Sequence, residues 1–227
     1  MEERGVVVAE SKGWRLFAFA LALAFVVLLF FAKQAPLLRG VDRGIMLWVG
    51  EVRPQGWGEQ VTPPALLLTI AGDTIGRLFF TFGICAWLYR RGRLRHALWL
   101  IGVVVGASIL NGVLKDLFAL PRPKLIPHLD PIRSYSYPSG HASGNMAFLG
   151  AVALLFRRRW LWVPAVCIAV AIGLSRVWLG VHWPTDVLGG WVLGLGWLAG
   201  WSAIVPLRFP SPANEKAGIG GGSVPES

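Results

Sequence analysis

Long apolar segments are the feature that most limits what this chain can fold into. A helix that crosses a bilayer needs about 20 mostly apolar residues, because each residue advances the helix by about 1.5 Å. The sequence of 227 residues contains six segments that approach this length and carry few charges. They cover residues 14–32, 65–89, 96–120, 141–156, 161–179 and 186–205. We therefore predict an all-α fold, a bundle of six transmembrane helices with a short fourth helix.

The composition supports a protein embedded in a bilayer. Hydrophobic residues make up 55% of the chain and charged residues only 15%, whereas a soluble domain carries about a quarter charged residues. The net charge of +10 is compatible with nucleic-acid binding. However, Lys and Arg lie in short clusters between the apolar segments, which is typical of membrane topology signals. We expect the bilayer as a partner and no nucleic acid.

The two cysteines do not indicate a special site. Cys85 and Cys167 both lie inside apolar segments, where cysteine usually serves as a small buried residue. Their number and spacing fit neither a disulfide framework nor a zinc site.

The polar stretches define the predicted domain organisation. Residues 33–64 contain four prolines among charged residues and predict a loop, with a short amphipathic helix near residues 41–49 in the membrane interface. Residues 121–138 predict a second loop. We expect residues 1–209 to form one integral membrane domain, and the Gly-, Pro- and Ser-rich residues 210–227 to form a disordered cytoplasmic tail.

The distribution of Lys and Arg predicts the orientation. With six spans, the side of the two termini carries twelve of the 22 basic residues and the other side carries nine. The clusters at residues 90–95 and 157–159 lie in very short loops on the terminal side, and short loops have the strongest influence on topology. We therefore place the termini in the cytoplasm, and the loops after the first, third and fifth helices outside the cytoplasmic (inner) membrane.

Three polar segments are predicted to meet at that outer face. They contain Lys115 and Arg122, then Ser139, Gly140 and His141, and finally Arg176, His182 and Asp186. Unpaired cations and the free N–H groups of a helix N-terminus attract an anion. A carboxylate four residues from a histidine can accept one imidazole N–H and leave the other nitrogen free to attack.

Each segment alone also has a purely structural explanation. The cations can snorkel toward the interface, the serine can cap a helix, and the histidine and aspartate can form a structural hydrogen bond. Taken together, the three segments supply what phosphoryl transfer needs without a metal: oxygen-binding cations, a nucleophile and a proton donor.

In order and spacing, these segments resemble the three-part signature of the type 2 phosphatidic acid phosphatase superfamily, which also contains soluble vanadium haloperoxidases. Lys115 is followed by six residues and then Arg122-Pro123; Pro138-Ser139-Gly140-His141 comes next; Arg176 is followed by five residues and then His182, with Asp186 after three more. The resemblance implies a membrane lipid phosphatase that needs no metal and no cofactor.

The same resemblance implies a role for each residue. His182 would be the nucleophile that forms a phosphohistidine, Asp186 its orienting partner, and His141 the general acid for the leaving group. The phosphate oxygens would be bound by Lys115, Arg122, Ser139, Gly140 and Arg176.

The substrate and the reaction type stay open between several alternatives. Undecaprenyl diphosphate, phosphatidic acid and phosphatidylglycerol phosphate all fit a lipid phosphatase of this kind. A lipid phosphotransferase would use the same groups. A non-catalytic lipid-phosphate binder or transporter would not require His182 and Asp186, and a vanadate-dependent haloperoxidase suits a membrane chain less well.

Two further patterns receive a structural interpretation. Asp73 and Arg77 are four residues apart in the second predicted helix, a spacing that favours a self-neutralising pair over a functional role. Small residues four apart, such as Gly102 and Gly106, favour close helix packing within the bundle over a dimer contact.

Overall fold

The computed structural model describes the backbone of residues 2–207 and the side chains of residues 12–207. This part of the chain contains eight α-helices and no strand, which confirms the all-α prediction. The helices are α1 (Glu2–Ala32), α2 (Pro36–Val52), α3 (Gly56–Ala71), α4 (Thr74–Arg90), α5 (Leu94–Phe118), α6 (Gly140–Phe156), α7 (Trp162–Trp178) and α8 (Pro184–Ile204). The predicted disordered tail, residues 210–227, lies outside the described residues.

The helices confirm a membrane-spanning fold, but not the count of six. Among the described residues, four segments are long and apolar enough to cross a membrane: Lys12–Ala32, Leu94–Phe118, Arg159–Trp178 and Pro184–Ile204. A fifth span exists if α3 and α4, which meet at an angle of 56°, are counted as one bent span. The remaining apolar helix, α6, has 17 residues. It packs against α5, α7 and α8, so most of its surface faces protein rather than lipid.

The region before residue 90 differs most from the prediction. The short helix expected near residues 41–49 is present, but as the longer α2, and the rest of the expected loop at residues 33–64 also contains the first half of α3. Pro63 and Pro64 lie inside α3, where they were expected to precede a helix. A proline removes one backbone N–H from a helix, but membrane helices tolerate it because neighbouring groups satisfy the freed carbonyl.

The second predicted helix is broken rather than straight. Its apolar run is interrupted at Gly72 and Asp73, between α3 and α4. Asp73 ends the run because its side chain caps the new helix, with Oδ1 accepting a hydrogen bond from the Gly76 N–H at 2.6 Å. The capped break turns the chain and brings the start of α4 against α6, beside the candidate site.

Small residues allow the central helices to approach closely. A Cβ atom added at Gly190 of α8 would lie 2.6 Å from the carbonyl oxygen of Ser139, so only glycine fits there. Gly102 and Gly106 of α5 face the rings of Trp201 and Trp197. These glycines therefore pack inside the bundle, as predicted.

One end of the bundle brings the functional segments together. It gathers the last turns of α1, α5 and α7, the first turns of α6 and α8, and the connection between α5 and α6, which has no regular structure. Tyr137 in this connection is buried and donates a hydrogen bond to the Val26 carbonyl at 2.6 Å. The Ser139 N–H donates to the Asp186 carbonyl at 3.0 Å. These bonds fix the start of α6 against the start of α8.

Candidate active site

The centre of the site is a buried histidine held by a carboxylate. His182 lies just before α8, and Asp186 lies in its first turn. Nδ1 of His182 is 3.3 Å from Oδ2 of Asp186, which also accepts a hydrogen bond from the Trp183 N–H at 3.0 Å. This contact assigns the proton to Nδ1 and leaves the lone pair on Nε2.

Burial keeps this histidine uncharged. His182 is almost fully buried, and its burial lowers its pKa to about 3, although the Asp186 hydrogen bond acts in the opposite direction. The imidazole is therefore neutral at neutral pH and available as a nucleophile. Arg122 Nη1 lies 3.1 Å from Nε2 and can donate to that lone pair, a bond that an incoming phosphate oxygen can replace.

Asp186 has two further partners that the sequence analysis missed. Lys33, at the end of α1, forms an ion pair with Oδ1, and the Ser136 hydroxyl donates to Oδ2. The Lys33 ammonium also lies 5.0 Å from the centre of the Tyr137 ring. Lys33 directly follows the first apolar segment, so in the sequence it looked like an ordinary cation at a membrane boundary.

Two predicted phosphate-binding cations stand at the edge of the site. Lys115, in the last turn of α5, donates to the carbonyls of Tyr135 at 2.5 Å and Ser136 at 3.2 Å. Arg122 donates to the Val181 carbonyl at 2.7 Å. Burial and the neighbouring Arg176 charge lower the pKa of Arg122 to about 10, so this guanidinium stays protonated at neutral pH.

Arg176 is the most buried cation of the site. It ends α7 and has no solvent-exposed surface. Its Nη2 forms an ion pair with Asp130 at 2.7 Å, and its Nη1 donates to the Thr69 hydroxyl at 3.0 Å. Its Nε has no hydrogen-bond partner among the described residues. Asp130 and Thr69 were not predicted as partners, because each lies more than 40 positions from Arg176 in the sequence.

The residues at the start of α6 have two roles: Ser139 caps the helix, and the next two residues line the cavity. Ser139 is buried and caps α6, with its hydroxyl accepting from the Ala142 N–H at 3.5 Å. Gly140 and His141 face the cavity. His141 lies against the backbone of Thr69, and its Nε2 is buried without a hydrogen-bond partner in the described part of the chain.

These groups share one cavity of about 220 Å³. Five of the predicted residues line it: Lys115, Arg122, Gly140, His141 and His182. The other three, Ser139, Arg176 and Asp186, lie directly behind its wall, fully buried. Six polar lining residues were not predicted as part of the site: Thr74, Arg77, Ser108, Asn111, Ser134 and Ser143.

The prediction of an ion pair between Asp73 and Arg77 is wrong. No ion pair joins these two described residues within 4.0 Å, and the carboxylate instead caps α4. Arg77 donates to the Gly72 carbonyl at 2.8 Å and to the Thr74 hydroxyl at 3.3 Å. It is 4% exposed and lines the cavity.

The arrangement is suited to an anion that carries an electrophilic centre. Cations and the N–H groups at the start of α6 can bind its oxygens, and the neutral His182 can attack it. Within residues 12–207, no three His, Cys, Asp or Glu side chains are grouped as metal ligands. The cations that line the cavity are Arg77, Lys115 and Arg122.

The chain is similar to known proteins in both sequence and fold. Residues 96–210 match the family model of the PAP2 superfamily. A crystal structure of a transmembrane PAP2-type phosphatidylglycerolphosphate phosphatase from Bacillus subtilis superposes with a TM-score of 0.74 and 27% identity, covering 83% of this chain and 96% of that chain.

Two curated relatives share shorter segments. An undecaprenyl-diphosphatase of Sulfolobus acidocaldarius is 48% identical over 66 residues, which is 29% of this chain and 31% of that protein. Phosphatidylglycerophosphatase B of Bacillus subtilis is 38% identical over 96 residues, 38% of this chain and 47% of that protein. The chain thus spans less than half the length of either relative. The family model covers half of this chain, including all three motif segments, so the chain belongs to the PAP2 superfamily.

Proposed function

We propose that the protein is a membrane lipid phosphatase that works without a metal and forms a phosphohistidine on His182. The observation that carries this proposal is the buried pair of His182 and Asp186 beside a cavity lined by cations. Binding an anion requires only the cations. A neutral histidine held by a carboxylate is a nucleophile with a fixed tautomer, which binding alone does not require.

The first step forms the covalent intermediate. Nε2 of His182 attacks phosphorus, an N–P bond forms, and the bond from phosphorus to the leaving oxygen breaks. The leaving oxygen keeps the bonding electrons and takes a proton from His141, which lines the cavity and whose Nε2 has no hydrogen-bond partner among the described residues. Lys115, Arg122 and Arg176 bind the three remaining oxygens as charge shifts onto them.

The second step releases phosphate. His141, now neutral, removes a proton from a water molecule, whose oxygen attacks phosphorus while the N–P bond breaks. Inorganic phosphate leaves, and His182 returns to its neutral state. Asp186 stabilises the phosphoimidazole, which is cationic while the N–P bond exists.

The proposed substrates are lipid phosphates of the cell envelope. Undecaprenyl diphosphate, phosphatidic acid and phosphatidylglycerol phosphate each combine a bilayer anchor with a terminal phosphoryl group. Relatives named for undecaprenyl diphosphate and phosphatidylglycerol phosphate support this class.

The proposed location is the inner membrane, with α6 as the sixth crossing and the termini in the cytoplasm. The exposed arginines between α4 and α5, and between α6 and α7, support a cytoplasmic position for that end of the bundle. The candidate site, at the opposite end, would then face outward.

Phosphate release in detergent tests the proposal. Wild type and His182→Ala are each offered the three lipids with EDTA present. We expect release by wild type alone. Release by both proteins would overturn the role of His182. Transfer of phosphate to an added lipid alcohol, without free phosphate, would indicate a phosphotransferase, and binding without turnover would indicate a lipid-phosphate binder.

A further inference from the structure

The cavity continues past the catalytic histidines to an arginine that the reaction above does not use. Along α5, the lining residues are Lys115, then Asn111, then Ser108. These residues lie on one face of the helix, and the seven positions from Lys115 to Ser108 extend over about 10 Å. Arg77 of α4 lines the same cavity. The cavity is therefore longer than a single phosphoryl group requires.

The position of Arg77 relative to His141 follows from α6. A Cβ atom added at Gly144 would lie 2.6 Å from Cζ of Arg77, so the guanidinium rests on the α6 backbone at that glycine. Gly144 is three residues after His141, and residues three apart share one helix face. Arg77 therefore lies one turn farther into the bundle than His141, on the side away from the α6 N-terminus.

Arg77 is a buried cation with no carboxylate within ion-pair distance among the described residues, and the charge of Asp73 acts on it only from farther away. Two of its donors are used, by the Gly72 carbonyl and the Thr74 hydroxyl, and a guanidinium has five N–H donors. Asp73, the nearest acid in sequence, caps α4 instead. An anion that enters the cavity strongly stabilises a buried charge of this kind. The Thr74 and Ser143 hydroxyls, which also line the cavity, add further polar groups there.

The direction of the reaction identifies which part of a substrate meets Arg77. His182 attacks in line, so the leaving oxygen departs on the side opposite to His182. In the proposed reaction, His141 donates the proton to the leaving oxygen and therefore stands on that side, and its Nε2 has no other partner among the described residues. Arg77 lies beyond His141, one turn deeper toward the membrane core, which is the direction in which a lipid tail extends. The group that meets Arg77 is therefore the leaving group, next to the lipid tail.

We propose that Arg77 forms a second anion subsite that binds the lipid-attached phosphate of a diphosphate substrate, and so selects lipid diphosphates over lipid monophosphates. This inference rests on the proposed phosphatase function. The terminal phosphate reacts with His182 between Lys115 and Arg122. The bridging oxygen leaves with its electron pair and the proton from His141, as part of a lipid monophosphate whose charge Arg77 balances. A lipid monophosphate has a neutral alcohol as its leaving group and gains nothing from this cation.

The test compares substrates that differ only in the second phosphate. A prenyl diphosphate and the prenyl monophosphate with the same tail are assayed with wild type, Arg77→Met and Arg53→Met. Arg53 is a matched control, because it also donates to backbone carbonyls, of Trp178 and Pro127, but lies outside the cavity. We expect Arg77→Met to lower kcat/KM for the diphosphate by about tenfold or more, the usual effect of losing a charged hydrogen bond, and to change the monophosphate value by less than about threefold. Arg53→Met should leave the ratio of the two values unchanged.

A second measurement involves no bond cleavage, and its main comparison uses wild type alone, so a folding defect of the variant cannot affect it. Methylenediphosphonate and inorganic phosphate are compared as competitive inhibitors of wild type. We expect the diphosphonate to bind about tenfold more tightly or better, and this preference to disappear in Arg77→Met. Equal inhibition of wild type by the two anions would overturn the inference, as would a parallel loss on both substrates in Arg77→Met. Failure of the phosphatase proposal itself is distinguishable, because wild type would then hydrolyse neither substrate.

Discussion

Both ends of the bundle are rich in basic residues, but they hold them in different ways. At the end away from the cavity, seven arginines are exposed in two short connections and the helix ends beside them: Arg90, Arg91, Arg93, Arg95, Arg157, Arg158 and Arg159. At the cavity end, Lys33 and Arg176 are more than nine-tenths buried, and Lys115 and Arg122 are partly buried. Each of these four side chains forms hydrogen bonds or ion pairs with carbonyls or carboxylates.

The difference shows that burial, rather than residue type, separates an anion site from a topology signal. An exposed arginine at a membrane surface keeps its hydration and influences only the orientation of the helices. A buried cation loses its hydration, so it is held by fixed partners and gains from an anionic ligand. The following substitutions test whether the buried cations act on the substrate while the exposed arginines act only on the orientation of the helices.

The largest effect is expected from Arg176. Arg176→Gln removes a fully buried charge whose Nε has no partner among the described residues, so we expect kcat/KM to fall by about 10³. Asp130→Asn breaks the ion pair of Arg176 but keeps the guanidinium, and should lower kcat/KM by about tenfold or less. Steady-state kinetics of the two purified variants measure this difference, and equal losses would mean that Arg176 acts only through its structural pair.

A smaller loss is expected from Arg122→Lys. This change keeps the charge but removes the planar fork that reaches the Val181 carbonyl and the His182 ring, so we expect a loss of about 10² in kcat/KM. Arg93→Lys, at the exposed end, is the matched control and should leave the rate unchanged. A rate that also falls with Arg93→Lys would contradict the division between the two ends.

Lys33 is expected to act through Asp186 rather than on the substrate. Lys33→Met should lower kcat by about tenfold and leave KM nearly unchanged. The burial-lowered pKa of His182, about 3, means that protonation of this residue limits the wild type only below about pH 4. Removing the Lys33 charge leaves the negative charge of Asp186 without its ion-pair partner, which raises the histidine pKa, so the acid limb of the rate profile should move to higher pH.

The pH profile separates this role from a merely structural one. Loss of helix packing would lower the melting temperature without moving the acid limb. Lys12→Met, at the exposed opposite end of the apolar span that precedes Lys33, should change neither the rate nor the profile. An acid limb of Lys33→Met that coincides with that of wild type would exclude a positioning role.

The smallest catalytic effect is expected at the exposed end. Changing Arg157, Arg158 and Arg159 together to Gln should leave kcat/KM in detergent within about twofold of wild type, since none of them is buried. In cells, the same variant should insert in a mixed orientation, as read from the accessibility of a cysteine placed in the loop between α5 and α6. A large loss of activity in detergent would show that this end contributes to the site.

Part of the site could be predicted from the sequence because membrane topology forces helix ends together. Lys115, Arg122, His141 and His182 lie on three separate segments, and the structure brings all four to one cavity. Odd and even helices alternate in direction across a bilayer, so the end of one helix and the start of the next must share a face.

The rest could not be predicted because it depends on long-range contacts and on a bend. Lys33 lies 153 positions from Asp186, and nothing in its local sequence distinguishes it from a boundary cation. Arg77 reaches the cavity only because α3 and α4 meet at 56°. The predicted straight helix at residues 65–89 did not contain this bend, so it gave no indication that Arg77 lies at the cavity. The prolines at 63 and 64 suggested a loop, although the chain continues through them as α3.

The most direct test of the central claim is to trap the phosphoryl group on His182. Wild type is mixed with a prenyl diphosphate that carries ³²P in its terminal phosphate and is quenched within milliseconds in alkaline detergent. We expect a label on the wild-type protein that is stable to alkali, labile to acid and located on His182. The His182→Asn variant should show neither the label nor turnover. Turnover by His182→Asn, or an equal label on both proteins, would contradict a phosphohistidine at this position.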